Sequence, residues 1–192
     1  MTLDLRQLAL DALSVANQYA DAGITEVGDN GGDQVGWFQH STGGSAGDSW
    51  CADFVYACFL KTYCNRLGFP AGADSHGQRV FMLNHADEMT ARTKIARTGY
   101  CPTVAQSAKV AGRFHNSAFT PSPGDLVLFD FHGQGEPHHV AFVRGLDGAN
   151  VLTTEGNTSS GVAGSQADGD GVYKRERPRT HVYGFVHFEG LV

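Results

Sequence analysis

A cysteine stands where a glycine-rich stretch gives way to an apolar helix, in Gly47-Asp48-Ser49-Trp50-Cys51-Ala52-Asp53-Phe54-Val55. Asp48 and Ser49 are both favoured helix caps, and apolar residues then recur with helical spacing at Cys51, Phe54, Val55, Cys58 and Phe59. The helix is therefore expected to start at the cysteine. Unpaired N–H groups at a helix start carry partial positive charge and favour a thiolate over a thiol, which makes Cys51 the candidate nucleophile. Such a nucleophile needs a base within hydrogen-bond reach and a third group to orient that base. In Pro137-His138-His139-Val140-Ala141-Phe142-Val143, strand alternation puts His139, Ala141 and Val143 on one face and His138, Val140 and Phe142 on the other. His139 facing Cys51, with the small Ala141 leaving room for a substrate, is the candidate base; His138 is the alternative. Thr153-Thr154-Glu155-Gly156-Asn157-Thr158 places an acid at an expected strand end before a turn-forming Gly-Asn pair. Glu155 is thus the candidate to fix the imidazole tautomer, with Asn157 as assistant or substitute.

The elements that must position these groups are marked along the chain by periodicity and punctuation. The chain has 192 residues, 41% hydrophobic and 18% charged, which suits one globular domain with a substantial core. Residues 4 to 21 carry Leu5, Leu8, Leu13, Ala16 and Tyr19 at helical spacing, with Gly23 just beyond. Glu26 to Phe38 and Ser41 to Gly47 read either as a solvent-exposed turn region or as a glycine-rich wall leading to Cys51; no Gly-Lys-Ser/Thr closes the run, so it is not a phosphate loop. The cysteine helix, about 49 to 66, is apolar almost all round and is expected to be central, stopping at Gly68 and Pro70. Residues 76 to 90 and 102 to 112 read as further helices, the latter with Pro102 at its start. After Pro121-Ser122-Pro123-Gly124 the pattern turns strand-like: 125 to 130, 138 to 144, 151 to 155, 172 to 177 and 181 to 188. Helices first and strands second predict an α+β class with an antiparallel sheet.

A net charge of -6 and a pI near 5.8, with no Lys/Arg cluster beyond Lys174-Arg175-Glu176-Arg177, argue against nucleic acid or an anionic membrane as partner. No run approaches the ~20 apolar residues of a membrane span. Asp4 and Asp11 inside the first apolar region mark an amphipathic helix and not a signal peptide, so localisation is not specified. Cys51, Cys58, Cys64 and Cys101 have no zinc-type spacing. Cys51 and Cys58 lie about 10 Å apart along one helix, and Cys58 and Cys64 fail similarly, so any internal disulfide must involve Cys101; the set is expected to be reduced and buried. Asp168-Gly169-Asp170-Gly171 lacks the spacing of a calcium loop and reads as a turn within 159 to 171. Neither metal nor cofactor is expected.

Four segments in order, Trp50-Cys51-Ala52-Asp53-Phe54-Val55, Pro123-Gly124-Asp125-Leu126-Val127-Leu128-Phe129, His139-Val140-Ala141-Phe142-Val143 and Thr154-Glu155-Gly156-Asn157-Thr158, resemble the CHAP family of cysteine, histidine-dependent amidohydrolases/peptidases. Glu26-x-Gly28-x-Asn30-x-Gly32-x-x-Val35 and Val182-Tyr183-Gly184-Phe185-Val186 extend the resemblance over about 24 to 188. It implies a papain-like fold of the NlpC-type superfamily. It also implies cleavage of an amide bond in bacterial peptidoglycan, at the N-acetylmuramoyl-L-alanine link or within stem or cross-bridge peptides. By matched position Cys51 is the nucleophile, His139 base and then acid, and Glu155 the orienter, with Asn157 close by. Trp50 either lines the cleft as a substrate-binding ring or packs as a buried one, and Asn30, like Gln34, is a candidate second oxyanion donor. Residues 61 to 120 form a longer mid-section than a minimal member has, and the acidic calcium stretch of some phage members is not recognisable. A wall hydrolase without a signal peptide implies delivery by lysis, a phage particle or a secretion system, with a delivery or immunity protein as a further partner. The alternatives are a cysteine amidase or deamidase acting on non-wall substrates, and a non-catalytic wall-binding module.

Overall fold

The computed structural model describes residues 2–69, 76–161 and 168–190, so the helix stop expected at Pro70 and part of the 159 to 171 loop lie outside them. Helix α1, Leu5–Asp21, begins where the Asp4 carboxylate accepts the Gln7 N–H, and its apolar stripe from Leu5 to Tyr19 is buried. Helix α3, Cys51–Arg66, starts at the expected cysteine and is buried on nearly every side. It touches α1 and helix α2, Asp33–Thr42, helix α4, His76–Thr93, and two strands of the sheet. Helix α5, Cys101–Val110, carries Pro102 in its first turn. Helix α2 corrects the expectation of an irregular glycine-rich wall: Val35, Trp37, Phe38 and Gln39 are buried against α3, and Gly43, at φ 93°, ends the helix in the left-handed region.

Strands β1 Phe114–Asn116, β2 Leu126–Phe129, β3 His139–Asp147, β4 Asn150–Thr158, β5 Gly171–Pro178 and β6 Val182–Val186 form one antiparallel sheet in the order β1-β6-β2-β3-β4-β5. The class is α+β, with the cysteine helix laid on an antiparallel sheet as expected. Alternation divides the central strands. Leu126, Leu128, Val140 and Phe142 join the helices in the main core, whereas Val127, Phe129, Ala141 and Val143 form a second cluster with Val151, Val182 and Phe185. Ala141 shares a face with Val143, as alternation predicts, but that face packs in the second cluster and leaves no room for a substrate beside it.

Two irregularities of the sheet fall beside the cysteine helix. Pairing between β3 and β4 runs from Asp147 with Asn150 to Phe142 with Thr154, leaving the ladder open beside His139 and Val140. Strand β4 does not end in a turn after Glu155; it continues to Thr158 through a register shift, with Asn157 at φ 57°.

Helix α3 meets this irregular stretch at very short range. Ring contacts run from Tyr19 to Phe38 (5.2 Å), from Phe38 to Trp50 and Phe54 (5.6 and 5.3 Å), and on through Phe54 and Phe142 (6.5 Å). Gly156 lies beneath them: a Cβ there would sit 2.6 Å from Phe54 Cγ and 2.7 Å from Trp50 Cζ3. At the start of α1, Leu5 N–H donates to Gly190 O at 3.1 Å. Buried Asp125 accepts from Arg6 (2.9 Å), His187 (3.0 Å) and the Ser122 N–H (2.8 Å), tying α1 to both ends of the sheet segment. Gly156→Ala is expected to destabilise by about 1–3 kcal/mol through overpacking, read as a lower urea midpoint at unchanged m-value.

Candidate functional site

Cys51 is the first residue of α3 and is 3% exposed. It opens onto a cavity of about 160 Å³ between the turn entering α5 (Gly99, Tyr100, Cys101) and the β2–β3 connection (Glu136, Pro137, His138). The expected caps are absent. Asp48 turns back to accept the Ser45 N–H at 2.9 Å, and Ser49 Oγ donates to Asp168 Oδ1 at 3.3 Å. Trp50 occupies the cap position without a side-chain cap bond. The partial positive charge of the helix start is therefore left uncapped at the cysteine.

His139, first residue of β3, has no exposed surface and lies against the rings of Phe129 and Phe131. Its Nε2–H donates to Glu155 Oε2 at 3.1 Å, and because a carboxylate only accepts, this bond fixes the proton on Nε2. Nδ1 is buried with no hydrogen-bond partner and is the ring nitrogen left for Cys51; sulfur and imidazole each favour the charged form of the other. The Val140 N–H, released where the β3–β4 ladder opens, also acts on the Cys51 sulfur. Thiol and imidazole thus meet at the open end of the ladder and not across a sheet face.

Behind Glu155 lies a residue that motif reading missed. Arg177, 4% exposed, donates from Nε to Glu155 Oε1 (2.9 Å) and from Nη2 to Glu155 Oε2 (2.6 Å) and Thr158 Oγ1 (2.8 Å). Thr153 Oγ1 donates to Oε1 as well. In sequence Arg177 ends a charge run; the only signal was alternation in β5, which leaves Lys174 and Glu176 exposed and turns Arg177 inward.

These contacts set the protonation states. Burial pushes Glu155 up, but the bonds from Arg177 and His139 outweigh it and bring the carboxyl down to about 2. Burial pushes His139 down, and its contacts with Cys51 and Glu155 reverse that, raising it to about 9. A hydrogen bond from the Cys101 thiol, whose sulfur is 3.5 Å away, holds Cys51 well below the usual thiol range against burial, with His139 adding to the effect. The arrangement favours a thiolate beside an imidazolium.

The remaining candidates do not join the series Cys51, His139 and Glu155. Trp50 does not line the cleft: it is fully buried, stacked on Phe38, with Nε1–H donating to Glu26 Oε1 at 2.7 Å. Asn30 is 7% exposed and borders α2, its carbonyl accepting from Gln39 Nε2; neither it nor Gln34 lines the cavity. Asn157 turns its amide to Asp168 Oδ1 (3.4 Å) and not to His139, because the bulge redirects it. His138 faces Asp130, 3.6 Å from its Nδ1. None of the four cysteines is in a disulfide and all are buried, and among the described residues no group of three or more His, Cys, Asp or Glu is arranged to hold a metal.

The CHAP domain family model matches residues 42–157, more than half of the chain. No curated protein matches. Among solved structures, one described as the crystal structure of Ly7917 with the hydrolyzing product of MDP is similar at 14% identity and a TM-score of 0.42, over 96% of this chain. The chain spans 63% of the length of that structure.

Arg177→Met strands a buried carboxylate and is expected to destabilise by about 3–5 kcal/mol, measured by urea unfolding. The buried pair also fixes a pH window. Glu155 at about 2 lies below its ordinary 4.5, so its contribution is present above pH 4.5 and is lost as pH falls toward 2. His139 at about 9 lies above 6.5, so its contribution is full below pH 6.5 and is lost as pH rises through 9. The unfolding free-energy difference between wild type and Glu155→Gln is expected to peak between pH 4.5 and 6.5 and to shrink on both sides.

Proposed function

Because the chain belongs to the CHAP domain family, we propose that it hydrolyses an amide bond of bacterial peptidoglycan, with Cys51 as nucleophile, His139 as base and then acid, and Glu155 as the group that orients His139. The observation that carries this reading is the His139 ring itself. One nitrogen is pinned by Glu155, and the other is buried and left for the sulfur at the start of α3, which the imidazole favours as a thiolate.

The Cys51 thiolate attacks the scissile carbonyl carbon. The negative charge that develops on its oxygen is met by the Cys51 backbone N–H and the uncapped helix start; a single such donor is typically worth about 3 kcal/mol of barrier. His139, already protonated, gives its proton to the departing amine as the C–N bond breaks, leaving a thioester. Water then enters, His139 takes its proton, and the thioester collapses to a carboxylate and regenerated thiolate. Glu155 keeps the ring in the one tautomer that serves both steps, and Arg177 keeps Glu155 ionised. The reading covers the N-acetylmuramoyl-L-alanine amidase and the stem or cross-bridge endopeptidase alike, which differ only in the bond presented to Cys51.

Digestion of defined muropeptides followed by mass spectrometry tests the proposal and names the bond. Wild type is expected to yield a fragment pair whose summed mass exceeds the substrate by one water, and absence of any fragment overturns it. Cys51→Ala should reduce turnover by a factor on the order of 10⁴ or more with an unchanged far-UV spectrum. The reaction needs protonated His139, so kcat/KM is expected to fall as pH rises through about 9.

A further inference from the structure

The cavity onto which Cys51 opens has a second thiol in its wall. Cys101 Sγ lies 3.5 Å from Cys51 Sγ, and each is the first residue of its helix, so the positive ends of α3 and α5 converge on the pair. A disulfide needs about 2.05 Å, so closing the 3.5 Å gap takes a movement of about 1.5 Å, within reach of side-chain torsions. The neighbouring backbone holds the thiols together. Asp53, on the first turn of α3, receives the Thr42 hydroxyl and packs directly on Gly99, where a Cβ would lie 2.8 Å from Asp53 Oδ1. Only glycine lets the turn bearing Cys101 approach α3 so closely. On the other side, Tyr100 OH donates to Glu136 Oε1 at 3.3 Å. The remaining cysteines are not alternatives: Cys58 and Cys64 lie on later turns of α3 and do not line the cavity, and burial raises Cys64 to about 12.

We propose that Cys51 and Cys101 are a peroxide-reactive dithiol, closing to a reversible disulfide that withdraws the nucleophile and switches the hydrolase off. The switching clause rests on Cys51 being the nucleophile; bond formation does not. At about 160 Å³ the cavity admits a small peroxide, given that a water takes about 30 Å³. The Cys51 thiolate attacks one oxygen of hydrogen peroxide, the O–O bond breaks, and Cys51 sulfenic acid and hydroxide result. Cys101 sulfur then attacks the sulfenic sulfur, the S–O bond breaks, and the departing oxygen leaves as water with the Cys101 proton. Peroxide is the oxidant, and a dithiol such as dithiothreitol reverses the bond by exchange. Oxidation of Cys51 to the neutral sulfenic acid removes the charge and the hydrogen bond that hold Cys101 protonated, which frees Cys101 to give up its proton to the departing oxygen as it attacks. Cys101 also shields Cys51: without a resolving thiol, the sulfenic acid proceeds to sulfinic and sulfonic acids, which dithiothreitol does not reduce.

The test treats the reduced full chain with hydrogen peroxide. Thiols counted in denaturant are expected to fall from four to two, with the intact mass lower by about 2 Da. Combined trypsin and chymotrypsin digestion, which separates Cys51 from Cys58, should give a peptide linking Cys51 to Cys101. Muropeptide hydrolysis should be lost and should return with dithiothreitol. In Cys101→Ser, peroxide should instead add about 32 or 48 Da at Cys51, with no recovery by dithiothreitol. Four persisting thiols, or a wild-type Cys51 that gains oxygen without the linked peptide, would overturn the proposal; so would a linked peptide with unchanged hydrolysis. The wild-type readings decide even if the variant does not fold. A reduced protein inactive on every muropeptide counts against peptidoglycan hydrolysis itself, while the mass and peptide map still judge the dithiol.

Discussion

A carboxylate sealed from water is the most demanding feature of this fold. Glu155 has no exposed surface, and an isolated charge in such a place would carry a desolvation penalty of several kcal/mol. Its lone pairs are taken by a two-pronged guanidinium, a hydroxyl and an imidazole, so the charge is met from several directions. The polarity then passes outward in steps, from Arg177 on β5 to Glu155 on β4, to His139 on β3, to the sulfur on α3. Each step crosses to a neighbouring element, so the sheet order β3-β4-β5 is what arranges the series.

The last step depends on how close a helix can come to a strand. Gly156 brings the first turn of α3 against β4, and the unpaired end of the β3–β4 ladder leaves a backbone donor beside the cysteine. The aromatic residues around Trp50 fill the space behind this contact and press the helix start in place. Trp50 contributes as filler with a hydrogen-bonded tip, which explains why a large aromatic stands beside the cysteine without reaching the cavity.

Much of this was legible in the chain. The long helices and the central strands announced themselves through periodicity, and Cys51, His139 and Glu155 stood out because their chemistry is unusual in an apolar setting. Helix α2 was obscured by Gly32, Gly36 and Gly43, which read as loop although Val35 and Phe38 keep helical spacing. Strand β1 has three residues, too few to show a period. Gly156-Asn157 looked like a turn because those residues favour one; tertiary packing uses the pair as a bulge inside a strand. The cap misassignment has a similar origin, since Asp48 satisfies the turn before the helix. Arg177 is hidden in a charge run whose neighbours Lys174 and Glu176 face water. Cysteine spacing along one helix left Cys101 as the thiol free to meet another, and its distance from Cys51 was set by folding alone.

The bond between Leu5 and Gly190, together with the shared hold of Arg6 and His187 on Asp125, brings the beginning of α1 beside the last described residues of the chain. Backbone order and spatial order are thereby uncoupled at that point. A short linker joining residue 190 to Leu3, so that the Asp4 cap is kept, with new ends opened at an exposed turn such as Asp147-Gly148-Ala149, would preserve the series from guanidinium to sulfur under a permuted connectivity.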